Sequence, residues 1–254
     1  MKTAAIMQPT YIPWMGYFDL IDQCDIFVFL DNVQLVKRSW QVRNRIKAPK
    51  GELYLTIPIK KTKLRDELIL CEAVMSQEEA WQAKHCRSIE LAYKNAPYFN
   101  EVFPFLKDAL LSGETRLSTF TAGIIRGIAS RLGLDKECIL ASSLEGVSGK
   151  KDQLLVSICK RLGIQTYLSP QGSAEYIEKD CPGGEFSKNS IALVYHNYEH
   201  PCYSQLYGDF IPFLSIADLL FNHGFSESLA VIRSGRRKSI DYATFREKHP
   251  LLHS

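Results

Sequence analysis

Residues 8–45, QPTYIPWMGYFDLIDQCDIFVFLDNVQLVKRSWQVRNR, decide the fold. The apolar run 4–7 before them opens onto a loop punctuated by Pro9 and Pro13 that ends at Gly16. Residues 17–23 are amphipathic, and a second apolar run, 26–30, stops at Asp31. Strand, loop, helix, strand is the unit from which α/β proteins build a parallel sheet. Such sheets bind their ligands beyond the carboxyl ends of the strands. There this chain concentrates Asn32, Gln34, Lys37, Arg38, Trp40, Arg43, Asn44 and Arg45. So dense a polar cluster marks a candidate crevice rather than a solubilising surface.

Working outward, runs 41–46 and 53–59 flank the turn residues Pro49, Lys50 and Gly51, which predicts a hairpin. Pro58 makes its second arm an edge or terminal strand, and the basic stretch KKTKLR at 60–65 reads as a loop. From 77 to 132 the period turns helical. Ser76 followed by Glu79 resembles a capping box, opening a helix through Tyr93 whose stripe is Trp81, Cys86, Ile89 and Tyr93. Pro97 restarts the chain into a second helix, Gly113 stops it, and a third ends at Gly133. The α/β alternation then returns, with strands at 139–141, 166–168 and 191–195 and helices at 151–162 and 215–221. A basic segment, RSGRRK, lies at 233–238. The expectation is one α/β domain over 1–254 with a parallel, Rossmann-like sheet. It carries a hairpin near 41–59 and a helical insertion at about 76–133.

The bulk numbers narrow the function classes. The chain has 254 residues, 46% of them hydrophobic and 23% charged, which is ordinary for a globular enzyme-sized protein. A net charge of +3 is too small to argue for nucleic acid as partner. Asp19, Asp22 and Asp25 interrupt any apolar run that would make a signal peptide, and no stretch is long and apolar enough to span a membrane. Seven cysteines without CxxC spacing argue for reduced thiols, not a disulfide framework or a zinc site, so a cytoplasmic location is expected.

The candidate chemistry lies mostly in the opening stretch. Trp14-Met15-Gly16-Tyr17 occupies the place of the HxGH signature of nucleotidyltransferases, whose imidazoles grip a triphosphate at a helix N-terminus. An indole and a phenol carry no such charge, so adenylyl transfer by that route is disfavoured. Asp31, at a strand end, either faces the crevice or caps the next turn. Arg43 and Arg45 share one strand face, where two guanidinium forks suit phosphate or carboxylate, or else simply solvate an edge. His85 lies off its helix's apolar stripe and is a candidate general base, with a structural or exposed role as the alternative. His196 and His200 precede Pro201 in what reads as loop, which speaks against a metal site; none is assigned. Cys24 is a nucleophile candidate or a buried thiol, and the strand-end loop 169–173 (SPQGS) is a candidate second lip of the crevice. Ser148-Gly149-Lys150 lacks the upstream glycine of a P-loop.

These motifs bring out a resemblance. QPxYxPxxGYF, D-x-VQ-x-x-KRxW and RNRI in the opening stretch are similar to the start of WbqC-like proteins. LTIPIK, HCRSIELAYKNAPYF, YLSPQGSAEYI and YGDFIPFLSIADLLFNHG follow in the family's order. The resemblance implies a role in surface-polysaccharide and related biosynthesis, as a presumed glycine (aminoacyl) transferase. Gln8, Tyr11, Asp31, Gln34, Lys37, Arg38, Trp40, Asn44, Arg45 and His85 fall on its motif positions. The function expected is transfer of an aminoacyl or similar acyl group onto the amine of an amino-sugar nucleotide or related small molecule. No tightly bound cofactor is expected. The donor would be a phosphopantetheine thioester, on coenzyme A or on an acyl or peptidyl carrier protein. His85 or Asp31 would be the base, Lys37, Arg38, Arg43 and Arg45 would hold phosphates, and Gln8, Gln34 or Asn44 would polarise the carbonyl. Two alternatives stand beside it: a nucleotidyltransferase-like enzyme, and a non-catalytic module binding a carrier protein or sugar nucleotide.

Overall fold

The computed structural model describes residues 1–36, 38–61 and 67–249. Lys37 and most of the KKTKLR stretch therefore lie outside the described residues. A six-stranded sheet forms the centre: β1 (Thr3–Met7), β2 (Ile26–Phe29), β5 (Glu137–Leu140), β6 (Thr166–Ser169), β7 (Ala192–Tyr195) and β8 (Ile240–Asp241). Its order is β5-β2-β1-β6-β7-β8, with every pairing parallel except the antiparallel edge β7–β8. This is the parallel-type α/β fold the sequence predicts.

The alternation of buried side chains along the strands explains why both faces carry helices. Ala5, Phe27, Phe29 and Leu168 belong to one core, packed with α1 (Met15–Asp22) and α8 (Ile216–Ser234). Ala4, Ile6, Ile26, Val28, Tyr167 and Leu193 belong to the other. That core is closed by α5 (Asp152–Arg161), α6 (Ala174–Ile177), α7 (Gly184–Lys188) and α9 (Tyr242–Lys248). The chain runs outward from β1 through β2 to β5, then returns across the sheet in α5 to lay β6 on the other side of β1. The order therefore reverses between β1 and β6. A crevice must open there, because the connections leave those two strands in opposite directions.

Between β2 and β5 sit the antiparallel hairpin β3 (Arg43–Ala48) and β4 (Gly51–Thr56) and three helices: α2 (Trp81–Tyr93), α3 (Phe99–Leu110) and α4 (Leu117–Arg131). These helices extend the α1/α8 core and leave the opposite face of the sheet to the smaller helices. The Ser76/Glu79 capping box is not formed. The Ser76 N–H donates to Pro58 O, Glu79 pairs with Lys84, and α2 begins only at Trp81. The helix expected at 215–221 forms the first segment of α8, which breaks at Gly224. Gly224 takes φ 69° within it, a conformation that lets Tyr98 lie 2.6 Å from where a Cβ would stand, and the helix resumes beyond.

Candidate functional site

Two adjoining cavities occupy the reversal point. The first, about 370 Å³, is walled by Pro13, Trp14, Tyr17, Asn44, Arg45 and Phe213. The second, about 380 Å³, is walled by Gln8, Leu30, Ser39, Gln41, Leu155, Pro170, Ser173 and Tyr176, among others. Met7, Thr10 and Trp40 line both, so they form a partition in one two-lobed cleft. The SPQGS loop expected as a second lip is there, through Pro170, Gly172 and Ser173.

The loop after β1 is held open by a chain of hydrogen bonds whose polarity can be followed from the backbone. The Val36 N–H donates to Gln41 Oε1 at 2.9 Å, which fixes which end of that buried carboxamide accepts. Its Nε2 then donates to Gln8 Oε1 at 2.6 Å. The NH2 group of Gln8 is left without a partner among the described residues, in a side chain that lines the second lobe. Asn44 is the contrary case. It donates to Tyr11 O and Ile12 O at 3.0 and 2.8 Å, holding Ile12 at φ 42°, and its Oδ1 accepts the Arg45 N–H. The Asn44 amide is spent on shaping the loop.

The first lobe is aromatic. Trp14 seats its indole directly on Gly16, where an added Cβ would stand 2.2 Å from Cη2. Tyr198 and Phe213 meet that indole edge-on at 5.5 Å, and His200 stacks on it at 6.0 Å. His200 in turn accepts the Phe213 N–H at Nε2, and burial lowers its pKa. Arg45 reaches the lobe between Glu52 (2.6 Å) and Pro212 O (3.2 Å), and its Nε is buried with no partner. Arg43 lies on the same hairpin face but outside the lobe, its guanidinium 5.2 Å from the Tyr54 ring centre. Trp14 and Tyr17, at the HxGH-like positions, both face this lobe.

The remaining candidates lie elsewhere. His85 is buried among Tyr11, Trp81 and Phe120, its Nδ1 accepting from Tyr11 Oη at 2.9 Å. Burial drives its pKa down to about 4, a shift partly offset by a hydrogen bond to the Thr56 backbone. Both ring nitrogens are thus engaged, and the ring lines neither lobe. Tyr11, likewise buried, ties α2 to the β1 loop and donates its N–H to Trp40 O. Asp31 is fully buried at the end of β2 and accepts from Ser142 N (2.8 Å) and Ser142 Oγ (2.7 Å), fastening the end of β5. Gln34 and Arg38 are exposed and outside both lobes, and Lys37 is not among the described residues. Cys24 is buried, donates to Ile21 O, and has its pKa pushed up to about 12 by burial, so it is no nucleophile.

Three features escape a reading of the sequence. Gln41 orients Gln8, yet stands beside the more conspicuous Trp40 and gives no signal of its own. Tyr176 reaches the second lobe from α6, just beyond the SPQGS loop. The RSGRRK segment is an internal counter-charge. Asp19, fully buried in α1, accepts from His196 Nε2 at 2.7 Å and Arg236 Nε at 2.8 Å, while Asp22 binds Arg233 and Arg236. The Arg233 and Arg236 guanidiniums hold the Asp22 carboxyl down at about 2. Asp19 and Asp22, three residues apart in the opening stretch, were the available hint.

The model of the WbqC-like protein family matches residues 8–229, so the chain belongs to that family. The Mycobacterium tuberculosis protein Rv1507c, described only as uncharacterized, is 34% identical over 226 residues, covering 88% of this chain and 95% of its own. No solved structure matches the chain. Among the described residues no helix is long and apolar enough to cross a membrane, and no cluster of His, Cys, Asp and Glu is set to hold a metal.

Proposed function

We propose that the chain transfers an aminoacyl or similar acyl group from a phosphopantetheine thioester to the amine of an amino-sugar nucleotide or related small molecule. The observation that supports this reading is the two-lobed cleft with the unspent Gln8 amide beside its partition. A group transfer needs two reactants side by side, whereas a simple binding module needs one cavity. The second lobe, with Ile6, Leu30, Leu155 and Pro170 in its wall, suits the thioester arm. The first suits the acceptor.

In this scheme the amine nitrogen attacks the thioester carbonyl, a carbon–nitrogen bond forms, the carbon–sulfur bond breaks, and the amine's proton ends on the departing sulfur. The Gln8 amide donates to the carbonyl oxygen as it becomes an oxyanion, and Gln41 keeps that amide turned outward. Arg45 is the cation placed to meet the acceptor's phosphate or carboxylate. We assign His85, Asp31 and Asn44 to positioning: each holds the loop or strand end that carries the cleft. The setting is the cytoplasm, where thioester donors and nucleotide-activated sugars are made, and the products belong to surface-polysaccharide or related biosynthesis.

The test is incubation of the full chain with acyl- and glycyl-coenzyme A, or a loaded carrier protein, and a panel of amino-sugar nucleotides. Amide product by mass spectrometry, matched one-for-one by thiol release, is expected. Pyrophosphate release from ATP and magnesium without thioester, or tight donor binding with no turnover over any amine, would contradict the reading.

A further inference from the structure

We infer that the first lobe is a nucleoside-binding arm: it takes the planar base of a nucleoside diphosphate, with Trp40 as the stacking platform and Arg45 facing the diphosphate. Three observations converge. First, four of the lobe's walls are aromatic rings, Trp14, Tyr17, Trp40 and Phe213. An aliphatic chain needs no such wall, and the neighbouring lobe already offers it Ile6, Leu30 and Leu155. Second, Trp14 and Trp40 are in opposite states. Trp14 is committed, stacked by His200, met edge-on by Tyr198 and Phe213, and seated on Gly16. Trp40 has no ring partner among the described residues and is 48% exposed, although it forms the partition of the cleft. Phe213, which lines the same lobe, is 50% exposed and held at φ 57°. Two large half-exposed rings lining one cavity are apolar area waiting for a flat ligand.

Third, Arg45 is part of the wall of the same lobe, its guanidinium fixed there by Glu52 and by Pro212 O. A guanidinium fixed in the wall of a lobe suits an anionic ligand group, and a phosphate is the acceptor it matches best. A planar ring joined to a phosphate is a nucleotide. The cavity of about 370 Å³ is within the range of small-ligand sites. The inference rests on the reading above only for which reactant the nucleoside belongs to, since both a sugar nucleotide acceptor and coenzyme A carry a nucleoside diphosphate.

The chain reports on this site by itself. Of its three tryptophans, Trp14 and Trp40 line the lobe, while Trp81 is buried and lines neither cavity. Tryptophan fluorescence of the full chain should be quenched on titration with UDP or ADP, and not with pantetheine, which has no base. Trp40→Ala and Phe213→Ala should each weaken nucleotide binding roughly tenfold or more, with Trp40→Phe restoring most of it. Circular dichroism melts of the same variants verify that they fold; both side chains are half exposed. Tighter binding of UDP than of ADP and coenzyme A assigns the lobe to the acceptor, and the reverse order assigns it to the donor.

The inference is overturned if no nucleoside diphosphate quenches, or if the apparent affinity is the same in Trp40→Ala and Phe213→Ala as in the unaltered chain. Its fate separates from that of the acyl-transfer reading. Nucleotide binding without amide formation over any donor and acceptor leaves the arm standing and removes the reaction. Amide formation on an amine that lacks a base, with silent nucleotide titrations, does the opposite.

Discussion

The polar groups of the frame and those of the cleft are in opposite states. His85, Asp31, Asp19 and Asn44 are buried with their hydrogen-bonding capacity engaged, each joining two or more segments. Gln8 and Trp40 line an open cavity with capacity unspent. The residue types most associated with proton transfer therefore build the frame, and an amide and an indole keep capacity in the cleft. Residue type alone would assign the chemistry the other way round. The decisive quantity is which donors and acceptors remain after folding, because a buried group without a partner costs free energy while a free group in a cleft is paid for by its ligand.

The contrast can be broken most sharply at Gln41. Gln41→Leu leaves the Val36 N–H without its acceptor and releases Gln8, so acyl-transfer turnover should fall by roughly one to two orders of magnitude, with thioester KM little changed. Steady-state kinetics check this, and an unchanged kcat would detach Gln8 from the reaction.

Next in size are the frame residues, which should lose stability rather than rate. Asp31→Ala strips both acceptors from Ser142 and should destabilise the fold by about 2–3 kcal/mol in urea titration. The fraction that remains folded should turn over at the unaltered rate. A specific loss of kcat in folded protein would return Asp31 to the list of reacting groups.

His85 gives the contrast a pH signature. In the unfolded chain its imidazole takes a proton near 6.5, whereas the buried ring resists until about 4. The lowered value means that stability is fully present above about pH 6.5 and is lost as pH falls from there towards 4, by about 3 kcal/mol in all. His200, also lowered by burial, acts in the same direction. Thermal or denaturant melts across this window should show a shallower slope for His85→Gln than for the unaltered chain. A slope equal in both would mean that the ring does not stay neutral in the fold.

The smallest effect belongs to the rim. Glu52→Ala frees Arg45 Nη1 from a partly exposed ion pair, costing at most about 1 kcal/mol of stability. It should also tighten nucleotide binding in the first lobe, because a competing carboxylate is removed. Weaker binding would show that Glu52 orients Arg45 rather than competing for it.

Much of the frame was legible in the sequence because its signals are local. The runs 4–7 and 26–30 are β1 and β2, and the turn at Pro49–Gly51 separates β3 from β4. Gly133 and Gly163, both with positive φ, follow the ends of α4 and α5. The misreadings are non-local. Ser76 and Glu79 form a good capping box until Pro58 takes the Ser76 N–H. His85 lies off the apolar stripe of α2 but is covered by Tyr11 from the β1 loop. Likewise the cluster 31–45 pointed to the right end of the sheet without telling spent groups from free ones, since the partners of Asp31 and Asn44 lie as far away as Ser142 and Tyr11.

One measurement bears most directly on the central claim, that the reaction is run from the cleft and not from the buried histidine. It is the single-turnover rate of amide formation in Gln8→Leu beside His85→Gln, both confirmed folded. Loss of two to three orders of magnitude in Gln8→Leu, with His85→Gln within about tenfold of the unaltered rate, is the expected result. Near-normal turnover in Gln8→Leu together with collapse in His85→Gln would contradict it.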